Sequence, residues 1–211
     1  MKRDLDHWSL VVVGKWNTAI LSPDWLAKEV FKQREVQIMY PVLGGGPPIF
    51  EAVDIRVIVS RDRVALSPRK DDEKLLSHIE SASRHILNTL PHTPISAFGE
   101  NFYYTVQGPP KQLSEVFGFP DAECLSQQGT ITEMSLRRTI DLKSCKLNLT
   151  IASGEPFRIE LNYHYEVDEA PQAAQAMENT FVRNRDYGLK LLKAVYDLTL
   201  DEDTSNDKKS E

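Results

Sequence analysis

The chain has 211 residues, 41% of them apolar and 27% charged. This is the balance of a soluble globular protein, long enough to bury a core without a disulfide framework or a metal staple. Its net charge of −6 argues against a nucleic acid as main partner, which would need clustered Lys and Arg to neutralise several phosphates.

Residues 8–16, "WSLVVVGKW", are β-branched and apolar enough for a buried strand. "SPDWLAKEVFK" then opens a short helix, with Ser22 as N-cap, Pro23 in the first turn and Asp24 favoured by the helix dipole. Residues 35–42 (Val36, Ile38, Tyr40, Val42) and 53–59 (Val53, Ile55, Val57, Val59) alternate with the period of two that marks half-buried strands. "LGGGPP" between them reads as a loop, because its glycines and prolines do not sit inside a ladder. A short strand through Val64 and Leu66 follows. From Asp71 to Leu90 the period becomes helical, with Leu75, Ile79, Ala82, Ile86 and Leu90 on one stripe and an i,i+4 pair of Glu80 with Arg84.

Pro91 ends that helix, and "PHTP" leads into a strand carrying Phe98, Phe102, Tyr104 and Val106. Further strands are expected at 131–141 and 146–150. At 157–167 the alternation is complete, with Phe157, Ile159, Leu161, Tyr163, Tyr165 and Val167 inward and Arg158, Glu160, Asn162, His164 and Glu166 outward. A single last helix is expected from about Pro171 to Asp197. Residues 199–211 offer no core and read as a disordered acidic tail.

The two halves invite alignment. "SPDWLAKEVF" resembles "PPKQLSEVFGF", "IFEAVDIRVIV" (49–59) lines up with "ITEMSLRRTID" (131–141), and "RVALS" with "KLNLT". The segment at 35–42 has no counterpart in this alignment, and the strand at 157–167 is an addition to the second half. The expected fold is α+β: a largely antiparallel sheet of about eight strands, closed by two long helices, in two pseudo-repeated halves (1–92 and 93–198) packed as one unit.

Few residues suggest chemistry. His78 and His85 lie seven apart on one helix, roughly 10 Å along its axis, too far to share a metal ion. Cys124 and Cys145 lack CxxC spacing and read as buried reduced thiols. No nucleophile elbow or zinc-helix motif is present, and "GGGPP" lacks the Lys-Ser/Thr of a phosphate loop, so no metal or cofactor is expected. The pair to test for catalysis is His92 with Glu100, in and after the crossover between the halves. A binding pocket at the junction would draw on Trp16, Asn17, His92, Asn101 and Tyr103, with Asn17 and Tyr104 brought close by the pseudo-symmetry. Trp8, Trp16 and Trp25 fall within 18 residues and are expected in the core, Trp25 being the most exposed and the candidate contact residue.

No apolar run approaches the roughly 20 residues of a bilayer span, and the acids and histidine of "MKRDLDHWSLVVVGKW" interrupt any signal-peptide pattern. The expectation is a cytoplasmic, dimeric, non-catalytic module that binds a protein partner or itself through an edge strand or the loops at 44–48 and 107–112. A small-molecule enzyme or sensor is the alternative, and a nucleic-acid accessory protein a weaker one.

Overall fold

The computed structural model of the chain describes residues 1–41, 46–108 and 111–201. β1 (Lys2–Arg3) and a 3-10 turn (Leu5–His7) lead into β2 (Ser9–Gly14). α1 (Pro23–Leu26) starts where Ser22 Oγ accepts the Trp25 N–H, and widens into a π turn over Ala27–Phe31. Strands β3 (Gln37–Met39), β4 (Ile49–Ala52), β5 (Ile55–Val59) and β6 (Arg63–Pro68) precede α2 (Glu73–Thr89), which Asp72 caps at Leu75 N–H. β7 (Ile95–Val106) crosses the molecule. Then come α3 (Lys111–Glu115), α4 (Ala122–Ser126), β8 (Ser135–Asp141), β9 (Lys146–Ala152), β10 (Phe157–Glu166), α5 (Ala170–Ala176) and α6 (Phe181–Tyr196).

The class is α+β, with one open antiparallel sheet in the order β3-β4-β5-β6-β2-β7-β10-β9-β8 and β1 beside β7. β2 and β7 form the central pair. Outward from β2 run β6, β5, β4 and β3; outward from β7 run β10, β9 and β8. α2 packs on β2 and β6, and α5 and α6 on β7, so one face is covered. Phe98, Phe102 and Tyr104 of β7 and Ile159, Leu161, Tyr163 and Tyr165 of β10 are buried beneath these helices. Stacking of Phe98 on Tyr165 and edge contacts from Trp8 to Phe102 and Tyr104 fill the layer. α6 approaches β10 closely at Gly188, where a Cβ would come within 2.5 Å of Leu161 Cδ1.

Several expectations change. The sheet has ten strands rather than about eight, because residues 49–59 make two and Lys2–Arg3 adds a short strand beside β7. Val53 and Asp54 turn the chain between β4 and β5 with both φ values positive (52° and 63°), so Val53 lies in a two-residue hairpin turn and not in a strand. The strand expected at 35–42 is confined to Gln37–Met39, and Val42 lies outside the described residues. The single C-terminal helix is two, because Asn179 adopts a left-handed conformation (φ 57°) between α5 and α6. Arg84 does not pair with Glu80: its Nε donates to Ala174 O and its Nη2 meets Glu178. Cys145 is buried as expected but Cys124, on α4, is exposed. Of the expected tail, residues 202–211 lie outside the described residues, whereas the amino terminus donates to Thr199 O and Asp201 Oδ1.

Val53 carries a β-branched side chain where glycine or asparagine is at ease, and it is 57% exposed, so little burial offsets the strain. Val53→Gly is expected to stabilise the chain by about 1 kcal/mol, read as a rise of roughly 2–4 °C in the unfolding midpoint. An unchanged or lower midpoint would contradict the turn assignment.

Candidate functional site

The residues expected to line a junction pocket do not converge. Because β2 pairs antiparallel with β7, Gly14 sits opposite Ile95, and the residues after β2 fall beside the start of β7. Asn17 is therefore at the far end from Tyr104, which lies nine residues along β7 from Ile95, roughly 30 Å at strand rise. Trp16 is buried with its Nε1 donating to Val12 O, and Asn17 is exposed, accepting the Ala19 N–H. Trp25 is half-buried against the core edge, while Trp8 is fully buried. Asn101 and Tyr103 are half-buried on the sheet face turned away from the helices. Of the loops proposed for contact, Gly44, Gly45, Pro109 and Pro110 lie outside the described residues.

His92 and Glu100 are also apart in environment. His92 is exposed in the turn after α2, whereas Glu100 points from the middle of β7 into the helix layer and is fully buried. Glu100 Oε1 lies 2.5 Å from Thr180 Oγ1, and its Oε2 accepts from Asn184 Nδ2 at 2.6 Å. Asn184 Nδ2 also donates to Tyr165 Oη, and Tyr163 Oη donates to the Asn184 carbonyl. Burial raises the Glu100 carboxyl to about 7, against the opposing pull of the Thr180 and Asn184 bonds, and the nearby Glu80 pushes the same way as burial. The geometry agrees with a protonated carboxyl. Thr180 Oγ1 has one proton but sits within reach of both Met177 O and Glu100. A protonated Glu100 donates to Thr180, freeing Thr180 to donate to Met177 O.

Beside it, Glu80 of α2 receives the backbone N–H groups of Asn179, Thr180 and Phe181 and so closes the start of α6. Asp71 likewise accepts from Arg3 Nε and Arg185 Nη1, tying β1 and α6 to the start of α2. A cleft of about 500 Å³ between α2 and α6 is lined by Glu80, Asn179, Arg183 and Tyr187, and not by Glu100. Both Glu100 oxygens are engaged and the side chain is fully buried, so the cluster fastens α6 to the sheet. Among the described residues, no group of three or more His, Cys, Asp and Glu side chains is placed to hold a metal ion. His78 Nε2 faces Val30 O and His85 Nε2 faces Glu29.

The face turned away from the helices has its own order. Ser9, Asn101, Asn162, Asn148 and Thr139 stand directly opposite one another on β2, β7, β10, β9 and β8. Thr139 donates to Asn148, Asn148 to Asn162, Asn162 to Asn101 and Asn101 to Ser9, at 2.6–3.1 Å. A neighbouring row is apolar on the other half of the sheet: Met39, Ile49, Ile58, Ala65 and Val11 are in register and only half-buried. The polar row ends at β8, whose seven residues pair with β9 alone among the described residues. β8 therefore leaves one side of its backbone without a strand. Next to it, on the helix side, Val116, Ile140, Leu191 and Val195 line a groove of about 270 Å³, and Val195 is 52% exposed although it was expected in the buried stripe of the last helix.

No protein-family model matches the sequence, and no curated protein matches it. Among the described residues no helix is long and apolar enough to cross a membrane.

Proposed function

We propose that the chain is a cytoplasmic, non-catalytic binding or assembly module that recognises a protein, or a second copy of itself, through its sheet. The observation that carries the reading is β8, a seven-residue edge that among the described residues pairs on one side alone and has an apolar groove alongside. Such an edge accepts an added strand, with main-chain hydrogen bonds supplying affinity and flanking side-chain pockets supplying selectivity. The two halves are read as related copies. In support, β6, β5 and β4 follow β2 outward in the order in which β10, β9 and β8 follow β7. This equates β6 with β10, one strand away from the alignment drawn from sequence, and it leaves β3 as the unmatched strand.

A second reading, a small-molecule sensor, rests on a cavity of about 340 Å³ lined by Asp4, His7, Tyr103, Thr150, Arg158 and Glu160. Burial and the adjacent Glu160 push the Tyr103 hydroxyl up to about 12, so it is a neutral group there. Native mass spectrometry of the untagged protein, isolated gently from its own cells, separates the two. A protein complex or homo-oligomer carrying no small mass supports the assembly module. A monomer retaining a small ligand would replace it with the sensor.

A further inference from the structure

The free edge has an occupant written into its own sequence. On the β2 side of the sheet, the third strand out, β4, is covered by a fourth, β3, running antiparallel to it. On the β7 side the third strand is β8, and among the described residues the fourth position is open. We propose that a second copy of this chain fills it, its β8 antiparallel to the first and Thr139 on the two-fold axis. This rests on reading β8 as the recognition edge.

That register makes "LRRTIDL" (136–142) self-complementary. Residue numbers directly opposite sum to twice 139, so Arg137 faces Asp141 of the other copy, twice by symmetry, on the face turned away from the helices. Thr139 faces Thr139 and extends the Ser9–Asn101–Asn162–Asn148–Thr139 row across the axis. On the helix side Leu136 faces Leu142 and Arg138 faces Ile140, each beside the groove formed by Val116, Leu191 and the exposed Val195. Threonine pairs, opposite charges and apolar pairs are the cross-strand combinations that stabilise an antiparallel ladder, while like charges directly opposite destabilise it. Centring the pair on Arg137 or Arg138 instead places arginine against arginine, which disfavours those two registers. Arg137 is exposed and forms no ion pair with a described carboxylate. Its partner in this arrangement, Asp141, is exposed as well; its Oδ1 accepts the Lys143 N–H, and Lys146 stands opposite it on β9 with its ammonium engaged by Glu166. The assembly is isologous and closed, as expected for a two-fold dimer.

Sedimentation velocity on the full chain tests this with charge-swap variants. The wild type is expected to be a dimer that loosens as salt rises. Arg137→Asp alone and Asp141→Arg alone each set like charges opposite one another at both symmetric positions, and each should weaken the dimer by about tenfold or more. An equimolar mixture of the two single variants should form a heterodimer, because every new acid then meets a base. The chain carrying both substitutions should recover the homodimer. A merely structural role for either residue predicts no such recovery, and the recovery itself shows that the variants fold. A wild-type monomer, a dimer indifferent to both single substitutions, or single variants that do not recover on mixing would overturn the proposal. If the chain is monomeric yet co-purifies with another protein, the self-pairing fails while the assembly reading stands; if it is monomeric and holds only a small ligand, both fail.

Discussion

Glu80→Ala is expected to lower the midpoint of thermal unfolding by about 10 °C. The Glu80 side chain accepts three backbone N–H groups at the start of α6, from Asn179, Thr180 and Phe181, at 2.7–3.0 Å. Asn179 is in a left-handed conformation, so the chain enters α6 abruptly, and Thr180 offers no side-chain cap to its own helix. Removing the acceptor strands the Asn179 and Phe181 donors and leaves Thr180 N–H only its longer bond to Met177 O, a loss of roughly 3 kcal/mol, and a chain of this size falls by about 2–4 °C per kcal/mol. Glu80→Gln keeps one acceptor oxygen and should fall between the two. A midpoint for Glu80→Ala within a degree or two of the wild type would mean that α6 is held by its apolar face alone.

The second large effect is a pH dependence carried by Glu100. Its carboxyl titrates near 7 when folded and near 4.5 as an ordinary side chain, so between these values the folded chain binds a proton that the unfolded chain has lost. Stability from this group is complete below about pH 4.5 and is lost as pH rises through 7, by roughly 3 kcal/mol in total. Urea unfolding at pH 5 and pH 8 should show the wild type losing stability on this scale, and Glu100→Gln, which does not titrate, losing much less. Equal slopes for the two proteins would show that other groups carry the pH dependence and that Glu100 remains ionised in its buried site.

Much of the architecture is visible in residue patterns. β10 alternates so completely from Phe157 to Val167 that its buried and outward faces follow residue by residue, and Ile159, Leu161, Tyr163 and Tyr165 are buried. α2 was equally clear, although its buried face centres on Leu76, Ile79, Ser83, Ile86 and Leu87 and reaches Glu80, which no hydrophobic pattern marks as interior. The hairpin between β4 and β5 was hidden because Val53–Asp54 occupies a turn that usually announces itself with Asn-Gly or Asp-Gly. Without that signal the two strands read as one.

The site was less legible, for a physical reason. Chemical type and nearness in sequence nominate the candidate residues, but the β2–β7 register decides what meets and separates Asn17 from Tyr104, while alternation along β7 turns Asn101 and Glu100 to opposite faces. The Asn101–Asn162–Asn148 row had a weak signal, an asparagine at an outward position on each of three strands, which becomes informative only once the strands are in register. The edge at β8 had none, because an unpaired strand and a paired one carry the same alternation. Val195 is the instructive exception: helical periodicity assigns it to the core, and its 52% exposure beside β8 marks apolar surface that the described residues leave uncovered.

The central claim is that β8 is the recognition edge, and amide hydrogen exchange at residues 135–141 tests it most directly. Exchange is followed by mass spectrometry on the assembly as isolated and again after dilution to monomer. The account predicts that amides of this strand are protected in the assembly and exchange faster on dilution, while α2 and the centre of β7 are unchanged. Protection gained elsewhere on the surface, with residues 135–141 exchanging alike in both states, would contradict it.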